Sequence, residues 1–218
     1  MLTLFDYLPS QNAWKVRQLL NHLATPYVTV HVSIFEGEGR SAEYRRINPT
    51  GTVPAIQLDD GRTLGESNAI LTYLADGKPY LPDDAFGRGK VAQWLSFEQE
   101  RVEMTIGSLR YWTMTGKIAQ REPSLVQGKR AAALRTLGLL EQELATRPFL
   151  TGDDYTIADI AVFAYASRAG EADISLDPYP HFRAWIDRVR AQPGFLAATH
   201  PYAIDPHSAK ELPAVRTP

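Results

Sequence analysis

Cysteine is absent from all 218 residues, which excludes structural disulfides, thiolate metal sites and a protein-borne cysteine nucleophile together. Any thiol chemistry must use a thiol that a ligand brings. A basic surplus is absent too: 23 Lys plus Arg face 25 Asp plus Glu, a formal net charge of −2. Nothing here offers to neutralise a phosphate backbone, so nucleic acid is not an expected partner. No stretch approaches about 18 apolar residues, and the opening MLTLFDYLPSQNAWKV lacks the basic region, apolar run and cleavage site of a secretory signal. The expected location is cytoplasmic, without membrane contact. His22, His31, His181, His200 and His207 never fall at a metal-ligand spacing, so no metal is expected. What remains is a chain 44% hydrophobic and 22% charged, long enough to bury one large core or two small ones.

Hydrophobic period divides the chain. The first 80 or so residues change period repeatedly, whereas those after about residue 86 keep a helical one. Leu2 to Asp6 reads as a strand, Ala13 to Ala24 as a helix closed by Thr25-Pro26, and Tyr27 to Val32 as a second strand, making a βαβ unit. Ala42 to Ile47 is a short helix stopped by Asn48-Pro49. Ala55 to Leu58 and Arg62 to Leu64 flank the turn Asp59-Asp60-Gly61 as a hairpin, and Ser67-Asn68 starts another helix. The Pro- and Gly-rich segment 79–86 reads as a linker. Beyond it, 87–205 is expected to be all-helical, with one long helix from Gly87 to about Thr115, a second carrying Leu134, Leu137, Leu140 and Leu144, and a capping box at Thr156-Ile157-Ala158-Asp159. The polar, Pro-rich tail 206–218 is expected to be loosely held.

Three places in residues 1–78 can carry chemistry. The turn Leu8-Pro9-Ser10-Gln11-Asn12 joins the first strand to the first helix, where helix N-terminal amides favour an anion; capping by Ser10 or Asn12 is the plainer alternative. In Asn48-Pro49-Thr50-Gly51-Thr52-Val53-Pro54-Ala55 a proline immediately precedes a strand. A cis bond there would let the backbone of Val53 pair with an extended peptide, against the alternative of a trans edge proline. Gly65-Glu66-Ser67-Asn68 opens a helix where a serine and backbone amides can hold a carboxylate and Glu66 can attract an ammonium, the two ends of an α-amino acid.

These residues, with NPTGTVPAI at 48–56, GESNAILTYLA at 65–75 and TGDDYTIADIAVF at 151–163, resemble the cytosolic glutathione transferases, serine-type or bacterial-type members, over about residues 1–200. The resemblance implies a thioredoxin-like α/β domain over 1–78 that binds glutathione as cosubstrate. It also implies an all-α domain contributing the electrophile site between the two, and a homodimer. Carried over by position, Val53 pairs its backbone with the cysteinyl part of glutathione, Pro54 is cis, and Glu66 and Ser67 grip the γ-glutamyl end. Ser10 is the favoured donor to the sulfur, Asn12 its rival and Tyr7 the third candidate, with core packing the alternative for Tyr7. Thr52 stands where a lysine or glutamine is common, so the glycine carboxylate needs another partner, for which Arg40 has the charge. Glu98 or Gln99 is a candidate to reach a neighbouring subunit's glutathione, against an internal hydrogen bond. Tyr111 and Trp112 are candidates to line an aromatic electrophile pocket, against ordinary core packing.

The expected function is attack of an activated glutathione thiol on a small hydrophobic electrophile, as in detoxification. Glutathione-dependent disulfide reduction is a second enzymatic reading, since neither reaction needs a protein cysteine. A non-catalytic binding or assembly module of the same fold is the alternative from another class.

Overall fold

Leu2–Asp6 forms strand β1 in a computed structural model that describes residues 1–198 and His200. It is followed by α1 (Gln11–His22), β2 (Tyr27–His31), α2 (Ala42–Ile47), β3 (Ala55–Gln57), β4 (Thr63–Gly65) and α3 (Ser67–Leu74). The sheet runs β2-β1-β3-β4, with β1 and β2 parallel and the other pairs antiparallel. Alternation along β1 sends successive side chains to opposite faces. Leu4 packs with Val16 and Leu20 of α1, Ile56 of β3 and Ile70 of α3. Phe5 joins Tyr7, Val32, Tyr44, Val53 and Ala55 on the other face. This is the thioredoxin-like α/β domain that the sequence implied.

Two polar devices fix α1. Asp6 at the end of β1 is buried and both its carboxylate oxygens lie 2.6 Å from Arg17 Nη1, while Arg17 Nη2 donates to the carbonyl of Leu8 at 2.9 Å. The face carrying Trp14 and Gln18 is tied to a returning segment: Gln18 Nε2 donates to Gly194 O at 3.0 Å, Leu196 N donates to Gln18 Oε1 at 2.7 Å, and Trp14 Nε1 donates to Leu196 O at 3.2 Å. The segment 193–198 therefore belongs with the first compact unit, Met1–Lys78, and among the described residues the second unit ends at Gln192. The sequence pattern carries the helical domain on to 205, because nothing local marks a bond between residues so far apart in the chain. The expected tail, 206–218, lies outside the described residues.

The second unit is helical. Asp84 caps α4 (Ala85–Phe97) by accepting from the backbone N–H of Phe86 and Gly87, so the linker ends two residues earlier than 86. The expected single helix continues unbroken, but Glu98–Gly107 is wound with π-type hydrogen bonds before α5 (Ser108–Met114) resumes the α pitch. The two pitches differ by less than a residue per turn, which apolar spacing over one short stretch does not resolve. In α6 (Pro123–Leu144) the buried stripe is Ala133, Leu137, Leu140 and Leu144, and Leu134 faces solvent. Glu141 of α6 accepts from the N–H groups of His181 and Phe182, capping α8 (Pro180–Arg190) from another helix. The capping box of α7 (Ile157–Ala166) is present, with Thr156 and Asp159 as its two members. Among the described residues no helix is long and apolar enough to cross a membrane.

Candidate functional site

Each of the three places picked from the sequence is built from local bonds. Ser10, half-buried, is the N-cap of α1: its Oγ accepts from Ala13 N at 3.2 Å, and its own N–H donates to Tyr7 O at 2.8 Å. The capping alternative for Ser10 holds, and a hydroxyl that accepts one bond still carries its hydrogen. Tyr7 lies in the core cluster, its ring 5.3 Å from that of Phe35 and 5.9 Å from His31. That is the packing alternative set beside it.

The loop at 48–54 is held from the inside. Buried Asn48 donates to Thr52 O at 2.8 Å and accepts from Thr50, and Tyr44 Oη donates to the same Thr52 carbonyl at 2.7 Å. Burial pushes the Tyr44 hydroxyl up to about 12, so it remains a donor at any ordinary pH. Val53-Pro54 is cis. Val53 is buried, and among the described residues no backbone bond engages its N–H or C=O. Gly51 has φ 71 and a Cβ there would lie 2.3 Å from Gly39 O, while a Cβ on Gly39 would lie 2.2 Å from Gly51 O. Only glycine allows that approach. It brings the turn Glu38–Arg40 against the Thr52 loop, so Arg40, exposed, follows directly after a residue that touches this loop.

Glu66 precedes α3 with φ 66 and ψ 113, a conformation that non-glycine residues rarely hold, and it supplies no side-chain cap. Its side chain is exposed. Ser67 is buried, and its hydroxyl donates to Asn12 Oδ1 at 3.3 Å. That bond joins the first turn of α1 to the first turn of α3, so the expected residues Ser10, Asn12 and Ser67 come together, with Glu66 adjoining. Sequence reasoning missed the residue between them. Lys15, wholly buried, donates from Nζ to Asn12 Oδ1 at 2.7 Å and lies 3.5 Å from Ser67 Oγ.

The remaining candidates belong to the second unit. Glu98 is wholly buried and accepts from Gln99 Nε2 at 2.9 Å, and the same amide donates to Glu103 at 3.0 Å. A carboxylate with no exposed surface cannot touch a neighbouring subunit, so the internal hydrogen bond describes Glu98 better than the cross-subunit role. Tyr111 and Trp112 are half-buried rather than core. Tyr111 Oη accepts from Lys117 Nζ at 2.8 Å, and the Trp112 ring lies under Arg121 at 4.9 Å and Lys129 at 5.6 Å.

The family model described as glutathione S-transferase, N-terminal domain, matches residues 9–76, and the one described as glutathione S-transferase, C-terminal domain, matches 100–193. Glutathione S-transferase 1 of Schizosaccharomyces pombe is 30% identical over 212 residues, covering 88% of this chain and 92% of its own. The disulfide-bond oxidoreductase YfcG of Escherichia coli is 28% identical over 194 residues, covering 86% and 89%. A glutathione transferase from Burkholderia graminis, solved with two glutathione molecules bound per subunit, is 30% identical with a TM-score of 0.78, covering 88% and 85%.

Proposed function

The chain belongs to the glutathione S-transferase family, and from that premise we propose that it binds glutathione on its first unit and activates the thiol for attack on a small hydrophobic electrophile. The observation that carries this reading is the bond between Ser67 and Asn12. It sets the starts of α1 and α3 side by side, and each helix start favours an anion. Glutathione offers one anion to each: its thiolate at Ser10 and Asn12, its γ-glutamyl carboxylate at the first turn of α3, with the ammonium beside Glu66. The backbone of Val53, next to Pro54, pairs with the cysteinyl residue between them. Arg40, next to the Thr52 loop, takes the glycine carboxylate.

Ser10 serves as the first donor to the sulfur, capping α1 through its oxygen while giving its hydrogen to the ligand. Asn12 is the second. Donors aimed at the sulfur lower the thiol from its usual value near 8.5 by favouring the charged form, so no base need remove the proton. The electrophile then meets a nucleophile already formed and oriented. The working protein is a cytoplasmic homodimer. The E. coli relative named as a disulfide-bond oxidoreductase favours one second reading, glutathione-dependent disulfide reduction, which the same cysteine-free site can support.

The test is titration of glutathione into the protein, following thiolate absorbance against pH, in wild type, Ser10→Ala and Asn12→Ala. A bound thiol pKa well below 8.5 that rises in Ser10→Ala supports the reading. A thiol bound with its free pKa refutes it and leaves a non-catalytic binding module. Turnover with an aromatic halide against turnover with a mixed disulfide then separates conjugation from reduction.

A further inference from the structure

We propose that Lys15 is a positioning residue for thiolate activation: it holds the carboxamide of Asn12 with the oxygen inward, so that the donor end of that side chain is turned to the glutathione sulfur. This deepens the functional reading above and rests on it. Lys15 Nζ donates to Asn12 Oδ1 at 2.7 Å and the Ser67 hydroxyl donates to the same oxygen at 3.3 Å. A carboxamide has one acceptor end and one donor end. With two donors converging on Oδ1, the amide orientation is settled, and Nδ2 faces away from Lys15 and Ser67.

The choice of lysine here is costly to the fold. Its side chain is wholly buried, five residues after the N-cap of α1, where a cation opposes the helix dipole and an ammonium loses its water. An apolar side chain of similar length would fit the buried position without that cost. What the ammonium adds is a charge-assisted bond, stronger than a neutral donor would make to the same oxygen, at the point where the starts of α1 and α3 meet.

Lys15→Met removes donor and charge at nearly constant length, and Lys15→Gln keeps a neutral donor. Three measurements are made on each full-length variant: the side-chain amide signals of Asn12 in the ligand-free protein by NMR, the thiol pKa of bound glutathione, and the affinity for S-methylglutathione, which has no thiol to ionise. In Lys15→Met the two Asn12 amide proton signals are expected to broaden and to move toward the positions of a freely rotating asparagine side chain. The bound thiol pKa is expected to rise by about one unit, a roughly tenfold loss of thiolate at fixed lower pH, while S-methylglutathione binds within about threefold of wild type, half a decade on the affinity scale. Lys15→Gln should recover part of both changes, and it carries the same readings if the Met variant does not fold. An unmoved thiol pKa in Lys15→Met overturns the proposal. So does an equal loss of affinity for glutathione and its S-methyl form, which would make Lys15 a partner of the γ-glutamyl carboxylate. Should wild type bind glutathione without shifting its thiol, or fail to bind it, the functional reading has failed instead. The Asn12 signals then decide the positioning on their own: if they are unchanged in Lys15→Met, Lys15 does not orient that side chain.

Discussion

Asp159→Asn probes how the second unit holds the start of α7. The Asp159 carboxylate is wholly buried and accepts from Leu150 N at 3.0 Å, Thr156 N at 3.0 Å, Thr156 Oγ1 at 3.3 Å and Trp185 Nε1 at 2.9 Å. Burial nevertheless outweighs these donors and raises the carboxyl from 3.8 to about 6. A raised folded pKa means that the folded state holds its proton where the unfolded chain has already lost it. The stability due to this group is therefore fully present below about 3.8 and declines as pH rises through about 6. A shift of about 2 units at 1.36 kcal/mol each amounts to about 3 kcal/mol. Asparagine does not titrate, and its amide turns donors toward donors, which costs about 1–3 kcal/mol at every pH. The margin of wild type over Asp159→Asn is thus expected to be largest below about pH 3.8 and to have shrunk by about 3 kcal/mol by pH 7. Urea unfolding followed by tryptophan fluorescence, with Trp185 itself a reporter, measures that margin, and groups common to both proteins cancel in the difference. A margin that is constant, or that grows with pH, refutes the reasoning, because it would mean that the four donors outweigh burial.

Asp6→Asn should lower stability by about 3–5 kcal/mol in thermal unfolding, since Arg17 keeps a buried guanidinium without its carboxylate; a loss under 1 kcal/mol would show that the pair contributes little. Gly51→Ala forces a Cβ toward Gly39 O at 2.3 Å with φ 71, so glutathione affinity and unfolding midpoint should fall together, with a destabilisation of about 1–3 kcal/mol. Tyr44→Phe removes one of two donors to the Thr52 carbonyl. It should cost about 1 kcal/mol in stability and weaken glutathione binding by calorimetry without moving the bound thiol pKa, because in the proposed reading the loop meets the cysteinyl backbone rather than the sulfur.

The elements that the sequence disclosed are those whose signals are local. The change of period at Thr25-Pro26 and the turn Asp59-Asp60-Gly61 mark β2 and the β3–β4 hairpin, and Thr156 with Asp159 marks α7, because each depends on residues within a few positions of one another. The segment at 193–196 looks like part of the helical domain for the opposite reason. Its place is set by Gln18, 176 residues away, and no spacing rule sees such a bond. Leu134 shows a third kind of limit: it stands one residue from the buried Ala133, about 100° around the helix, and a leucine at the edge of a stripe looks the same in sequence on either side.

The same limit governs the site, and α1 shows why. Ser10, Val53-Pro54 and Ser67 could be named because a cap, a proline before a strand and a helix start carry their chemistry in the local pattern. Lys15 could not, because a lysine among QNAWKVRQLLNH reads as the solvent face of an amphipathic helix. Yet Gln11, Lys15, Arg17 and Gln18 are all buried there, each bonded to a loop or a helix start: Pro9 O, Asn12, Asp6 with Leu8 O, and Gly194 O. A buried polar side chain must find a partner, so a helix that buries four of them acts as a rack on which the surrounding loops are set. That requirement links the composition of α1 to the geometry of the turn at residues 8–12: the residues that make the helix look exposed in sequence are the ones that fix where Ser10 and Asn12 stand.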